Sequence, residues 1–200
     1  MDNVTKVILD LCGGTWSWSK PYKDNGYTVI NVDIKLGIDI RTYKPPKNVY
    51  GILAAPPCPM FSFARTNAKL PRDLRSGMEI VRHCLRVVRE CQYRLKSDLQ
   101  KYPPLRFWAL ENPRGMLNWF LGHPVLVFNP FDYGDDYKKR TCLWGFFNIP
   151  KKTPIECNTV KFDRLKTRDI HPKFYGKLTR QERRGITPKG FAKAFYEANR

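Results

Sequence analysis

The sequence predicts an α/β fold with a mostly parallel central sheet and helices on both faces. Short, near-continuous apolar runs of strand length recur along the chain, with a long stretch of helical period among them. The chemically distinctive residues, a Gly-Gly turn, Asp33, Cys58 and Glu111, fall at the C-terminal ends of those runs. Open α/β sheets bind their ligands at that edge.

Each element has its own signal. "VTKVILDLC" (4–12) is β-rich and runs into "GG", a strand ending in a glycine turn. "YTVINVDI" (27–34) and "VYGILAAP" (49–56) read as the next strands. Residues 74–95 show helical period, with Leu74, Met78, Val81, Leu85, Val88 and Leu95 on one face. Arg82, Arg86 and Arg89 lie off that stripe and read most simply as a solvated face. "YPP" (102–104) breaks the chain before "RFWALENP" (106–113), and "VLVFNPF" (125–131) and "TCLWGFF" (141–147) supply two further strands. In "ITPKGFAKAFYEANR", Thr187 is the expected N-cap and Pro188 the first position of a closing helix. The expected organisation is a core over 1–149, a short basic segment over 150–186, and a C-terminal helix over 187–200 packing back on the core.

Two hundred residues suffice for one good hydrophobic core. With 36 Lys+Arg against 18 Asp+Glu, the net charge of +18 points to a polyanion, nucleic acid or a free nucleotide. The basic residues are interleaved with aromatics, as in strand-binding grooves, although solubility alone is the plainer reason for such charge. Cys12, Cys58, Cys84, Cys91, Cys142 and Cys157 form no CxxC pair, and His83, His123 and His171 have no ligand spacing, so no metal is expected. Cys84 and Cys91 read as core residues. The polar start "MDNVTK" and the lack of a long apolar stretch lead to the expectation of a soluble, cytoplasmic protein with no membrane partner.

The glycine turn lets backbone N–H groups approach a ligand, and Asp33 at the end of the second strand is placed to accept two ribose hydroxyls. Together they suggest an adenosine-containing cofactor, although Gly-Gly is also an ordinary turn. Asp39 in "GIDI" is a candidate acceptor for an adenine amino group, or simply a turn residue. In "AAPPCPMFSFAR" (54–65), prolines on both sides limit the backbone around Cys58. That suits a nucleophile that must meet its target at a fixed angle, and an electropositive setting would lower its pKa. It also suits a buried structural cysteine. "ENPRG" adds Glu111 at the end of the next strand, an acid with no evident structural duty.

"PPCPMFSFA" resembles the Pro-Cys…Phe-Ser signature of the cytosine-C5 DNA methyltransferases, and "ENPRG" resembles their Glu-Asn motif. "DLCGG" and "VDI…GIDI" are similar to that family's S-adenosylmethionine motifs, in the family's order, and "YGDDYKKRTCLWG" (133–145) resembles its Arg-containing strand motif. The resemblance implies the class I S-adenosylmethionine-dependent methyltransferase fold and methylation of cytosine C5 in DNA. Cys58 would add to C6, Glu111 would hold and protonate N3, and Arg140 would contact O2, with Lys138 or Lys139 assisting. Leu11, Cys12, Gly13, Gly14, Thr15 and Trp16 would surround the cofactor's amino-acid portion. Asp33, Ile34, Asp39 and Ile40 would surround its adenosine, and Pro56 would border the methyl donor. Ser62, Arg65, Lys138 and Lys139 are the expected nucleic-acid contacts. The target base would have to be flipped out or single-stranded.

The family pattern is departed from in three places. Trp16 stands where the glycine turn usually continues with glycine. Gly185-Ile186-Thr187 replaces a Gly-Asn-Ser-like element. Only about forty residues stand where a full target-recognition region would be, thin for reading several base edges. A compact enzyme with a DNA-facing basic tail (Lys151, Lys152, Lys161, Arg164, Lys166, Arg168), an enzyme with a recognition partner protein, and one acting on single strands or nucleotides are all compatible with that length. Two rival functions remain: an N4-cytosine or nucleotide methyltransferase, and a degenerate relative that binds nucleic acid without turnover.

Overall fold

The computed structural model describes residues 3–66, 69–158, 176 and 178–200. The strands are β1 (Val7–Leu11), β2 (Thr28–Val32), β3 (Val49–Ala54), β4 (Phe107–Pro113), β5 (Leu126–Phe128) and β6 (Thr141–Phe146). The helices are α1 (Lys20–Asp24), α2 (Leu74–Gln92), α3 (Lys96–Lys101), α4 (Asn118–Leu121), α5 (Arg180–Gly185) and α6 (Lys189–Ala198). The apolar runs of the sequence are these six strands, trimmed at their ends.

The six strands form one sheet in the order β2-β1-β3-β4-β6-β5. Neighbours among β2, β1, β3 and β4 pair in parallel. The sheet is nonetheless mixed, because β6 runs antiparallel to both β4 and β5. The β5–β6 connection holds only a short 3-10 turn, Pro130–Tyr133, rather than a crossover helix, so the chain returns in the opposite direction.

Alternation along the strands divides the core in two. Leu9, Leu11, Ile52, Ala54 and Leu110 pack on one face against Val81, Cys84, Val88 and Cys91 of α2. Ile8, Leu53, Phe107, Ala109 and Leu143 pack on the other against Tyr22 of α1 and Phe191 and Phe195 of α6. This second face is rich in rings, and Phe191 stacks on Phe128 at 4.0 Å between centroids and 17° between planes. Cys84 and Cys91 are core residues, as expected.

Three local expectations are corrected. Helix α2 ends at Gln92, which leaves Leu95 exposed beyond it. Arg86 is not part of a solvated face: its Nη2 donates to the Ile40 and Tyr43 carbonyls at 3.0 and 2.9 Å, tying α2 to the loop after β2. The N-cap of α6 is Pro188, with no side-chain cap, rather than Thr187. Its free N–H groups are met from elsewhere, because Asp135 accepts from the Gly190 amide at 2.8 Å.

Residues 151–158 follow β6 without regular structure, pinned where the Thr153 and Ile155 amides donate to the Asp132 and Phe131 carbonyls. Lys151 is exposed and Lys152 pairs with Asp132 at 3.6 Å, whereas Lys161, Arg164, Lys166 and Arg168 lie outside the described residues. Among the described residues no helix is long and apolar enough to cross a membrane. Nor does any group of three His, Cys, Asp or Glu side chains among them form a metal-binding cluster.

Candidate active site

Strand order locates the site. The chain leaves β1 in one direction to form β2 and in the other to form β3 and β4, so the switch point lies between β1 and β3. The register pairs Leu11 with Val32 and with Ala54, and Ala54 with Leu110. The residues that follow therefore lie at one level: Cys12, Asp33 and Ala55, which leave the sheet, and Glu111, which is still paired with Leu143 of β6. Strand β6 starts at this same edge, with Thr141 opposite Pro113, and so brings Lys139 there too. A cleft of about 2010 Å³ opens at this edge. A site for one small ligand spans roughly 300–1,000 Å³, so there is room here for two.

The glycine turn forms one wall. Cys12, Gly14 and Trp16 all have positive φ, at 56°, 47° and 63°. Trp16 thus holds the left-handed conformation that glycine would supply without strain, at a cost of about 1–2 kcal/mol. Gly13 is required for a different reason, since a Cβ there would lie 2.3 Å from Asp10 Cγ. Asp10 is buried at the end of β1 and accepts from the Ser19 hydroxyl. Burial raises its carboxyl to about 6, with Asp33 adding to the rise and the Ser19 bond opposing it. Asp33 accepts the Gly14 amide on one oxygen and the Lys35 amide on the other, each at 2.9 Å, which fastens the glycine turn to the end of β2. Asp33 itself lines the cleft. Asp39 also lines the cleft, but Arg41 Nε holds both its oxygens, at 3.0 and 2.9 Å, and keeps its carboxyl below the usual range.

The opposite wall holds Cys58, Glu111 and Lys139. The Cys58 carbonyl accepts from the Phe61 and Ser62 amides, both at 3.0 Å, closing a tight turn directly after the thiol. Buried Asn112 donates from Nδ2 to the Pro56 carbonyl at 3.0 Å, joining the Glu111 strand to the cysteine loop. Gly115 lets the two segments touch, because a Cβ there would lie 2.2 Å from the Phe61 carbonyl oxygen. Arg72 completes the loop: one guanidinium reaches the carbonyls of Pro59, Met60, Ser62 and Arg65.

Glu111 Oε1 is buried and has no hydrogen-bond partner; Lys139 Nζ lies 3.9 Å away. Burial raises the Glu111 carboxyl, and Lys139 opposes the rise. The Cys58 thiol is raised as well, by burial first and then by Glu111, while Lys139 and Arg184 pull it down. The expectation of a lowered thiol pKa is therefore corrected, since enclosure and a neighbouring carboxylate outweigh the two cations. A carboxyl whose proton affinity is raised by burial, set beside a thiol, can protonate or grip a ligand ring nitrogen while the sulfur adds nearby.

The expected site residues divide between the cleft and its surroundings. Cys12, Gly13, Gly14, Thr15, Trp16, Asp33, Ile34, Asp39, Ile40, Pro56, Cys58, Glu111 and Lys139 line the cleft. Leu11 is buried in the core behind it. Ser62, Arg65, Lys138 and Arg140 lie outside the lining. Ser62 is buried and accepts from the Ala64 amide, and Arg65 donates to the Leu70 and Pro71 carbonyls, so both order their own loop. The cation beside Glu111 is Lys139, whereas Arg140 is exposed and acts electrostatically on Cys142.

Sequence reasoning also missed Asp10, Asn112, Arg72 and the residues of α5. A charge inside "VILDL" was a visible signal for Asp10, and "TRQE" is a capping-box pattern for α5. Thr179 and Glu182 do form that box. Glu182 also pairs with Lys35 across the cleft, and its carboxyl is held down to about 2 by Lys35 and the Thr179 bonds. The Thr187 amide donates to Ser17 Oγ at 2.9 Å, joining the tail to the glycine turn. Arg72 had no local signal.

Compared with known proteins, the chain matches no family model and no curated sequence.

Proposed function

We propose that this protein methylates cytosine at C5 in DNA, using S-adenosylmethionine on a class I methyltransferase fold. The observation that carries the proposal is the convergence of Cys58, Glu111 and Lys139 on one wall of a cleft whose other wall is the glycine turn with Asp33. The donor set suits the cofactor. Asp33 offers free lone pairs to a ribose diol, Ile34, Ile38, Ile40 and Pro56 provide an apolar bed for a purine, and Asp10 is a carboxylate at the turn for an ammonium group. When bound, S-adenosylmethionine supplies an electrophilic methyl group on a sulfonium.

The residues of the chain do the rest. Cytosine C5 is a poor nucleophile. Addition of Cys58 Sγ to C6 turns C5 into an enamine carbon, the thiol proton passing to water before the addition. Glu111, whose proton affinity burial raises, takes up a proton as the base binds, donates it to N3 and neutralises the charge that addition places on the ring. Lys139, beside Glu111, takes the place expected of Arg140 and holds O2. After methylation water takes the C5 proton, the Cys58–C6 bond breaks to regenerate the thiolate, and N3 returns its proton to the Glu111 carboxylate. Asn112 and Arg72 keep the cysteine loop at its working angle.

The test is transfer of a labelled methyl group from S-adenosylmethionine to DNA, followed by digestion to nucleosides. The expected product is 5-methylcytosine, abolished by Cys58→Ala. N4-methylcytosine with Cys58→Ala still active would mean an exocyclic-nitrogen methyltransferase. Cofactor binding without any methylated base would mean a degenerate relative.

A further inference from the structure

The segments that carry the catalytic wall run on into a shared exposed surface. Phe63 lies five residues beyond Cys58, Arg114 three beyond Glu111, and Arg140 directly follows Lys139. Their backbones are hydrogen-bonded in a row, the Phe63 amide to the Arg114 carbonyl at 3.5 Å and the Arg114 amide to the Arg140 carbonyl at 3.0 Å. At no more than ~3.5 Å per residue, Arg114 begins within roughly 11 Å of Glu111.

Three aromatic side chains crown this surface. Trp119 is 71% exposed, Phe63 50% and Phe120 47%, although rings are the main material of the second core face. They are neighbours: the Phe63 and Trp119 centroids lie 6.3 Å apart with planes tilted by 59°. Phe120 rests edge-on against buried Phe61 at 6.2 Å, so the group is anchored from below. Arg114, Arg140 and Lys138 are exposed at its side.

We propose that Phe63 and Trp119 form a stacking platform for unpaired bases beside the target, and that the protein's preferred substrate is single-stranded DNA. Exposed rings beside a row of cations match such a strand, with the bases covering the rings and the phosphates meeting the arginines. The ring geometry disfavours an intact duplex. Stacked base pairs are parallel and spaced roughly 3.4 Å apart, with their faces already covered. Two rings 6.3 Å apart and tilted by 59° fit bases that have come off the helical stack. Such a substrate also removes the need for a region that reads duplex grooves, and its target base requires no flipping.

This inference rests on the methyltransferase reading for its choice of DNA, and binding assays test it separately. Fluorescence anisotropy compares a labelled mixed-sequence strand with its own duplex at matched salt, for the full chain. The strand is expected to bind at least ~10-fold more tightly, and the Phe63→Ala/Trp119→Ala variant to lose at least ~10-fold on the strand while melting like the parent. Arg114→Gln/Arg140→Gln is expected to lower the salt slope by about 1.4, two charges at ~0.7 each. Photocrosslinking of a 5-iodouracil strand to the unmodified protein is expected to label Phe63 or Trp119, a readout that does not depend on how the variants fold. Equal or tighter duplex binding, an unchanged well-folded aromatic variant, or crosslinks wholly elsewhere would each overturn the platform. A strand bound on the platform and never methylated would sink the methyltransferase reading alone. Methylation with no preference for single strands would sink the platform alone.

Discussion

At Cys58, burial raises the thiol most, the Glu111 carboxylate raises it further, and Lys139 and Arg184 lower it. Removing the Glu111 charge should therefore move the thiol toward its ordinary range and increase the thiolate fraction at neutral pH. Glu111→Gln is expected to make Cys58 react roughly 3- to 10-fold faster with iodoacetamide at neutral pH, read peptide by peptide by mass spectrometry, with its reactivity profile displaced to lower pH. An unchanged profile would mean that Glu111 does not act on the sulfur. The same variant should lose methyl transfer, because an amide cannot pass a proton to N3. Cys58 and Glu111 were legible in the sequence because each is chemically out of place, a thiol among prolines and an acid ending an apolar strand. Lys139 was readable only as an assistant to Arg140, since "YKKRT" offers three adjacent cations and their order does not say which one faces Glu111.

Helix α6 joins the fold to the site. Its Phe191 is fully buried against Phe128, Trp18, Tyr133 and Phe195, and Thr187 just before it holds Ser17 in the loop after the glycine turn. Phe191→Ala should cost about 3–5 kcal/mol in chemical denaturation and weaken cofactor binding in the surviving folded fraction. Full cofactor affinity would show that the tail contact is incidental to the turn. The helix itself was legible from "TPKGFAKAF", but its capping was not, because Asp135 is more than fifty residues away in sequence. The same holds for α2, whose apolar stripe is evident while the arginines around it look like surface. Arg72 and Arg86 instead serve backbone carbonyls of distant loops, and a single sequence does not mark such partners.

Across the whole molecule, the sheet order places every chemically distinctive strand end at one edge, and the net charge of +18 gives the chain a field suited to a polyanion. The strands were readable because those buried on both faces are apolar almost throughout. Their directions were less so, since the reversal at β6 depends on a connection without a crossover helix, which apolar periodicity does not register. The central claim is a covalent bond between Cys58 and the target base, and trapping tests it most directly. DNA carrying 5-fluorocytosine, incubated with the protein and S-adenosylmethionine, should give a complex that survives a denaturing gel, because fluorine cannot leave C5 as a proton does. Peptide mapping should place the bond on Cys58. Methylation of ordinary cytosine without any trapped complex, or a complex mapped to another residue, would contradict the mechanism.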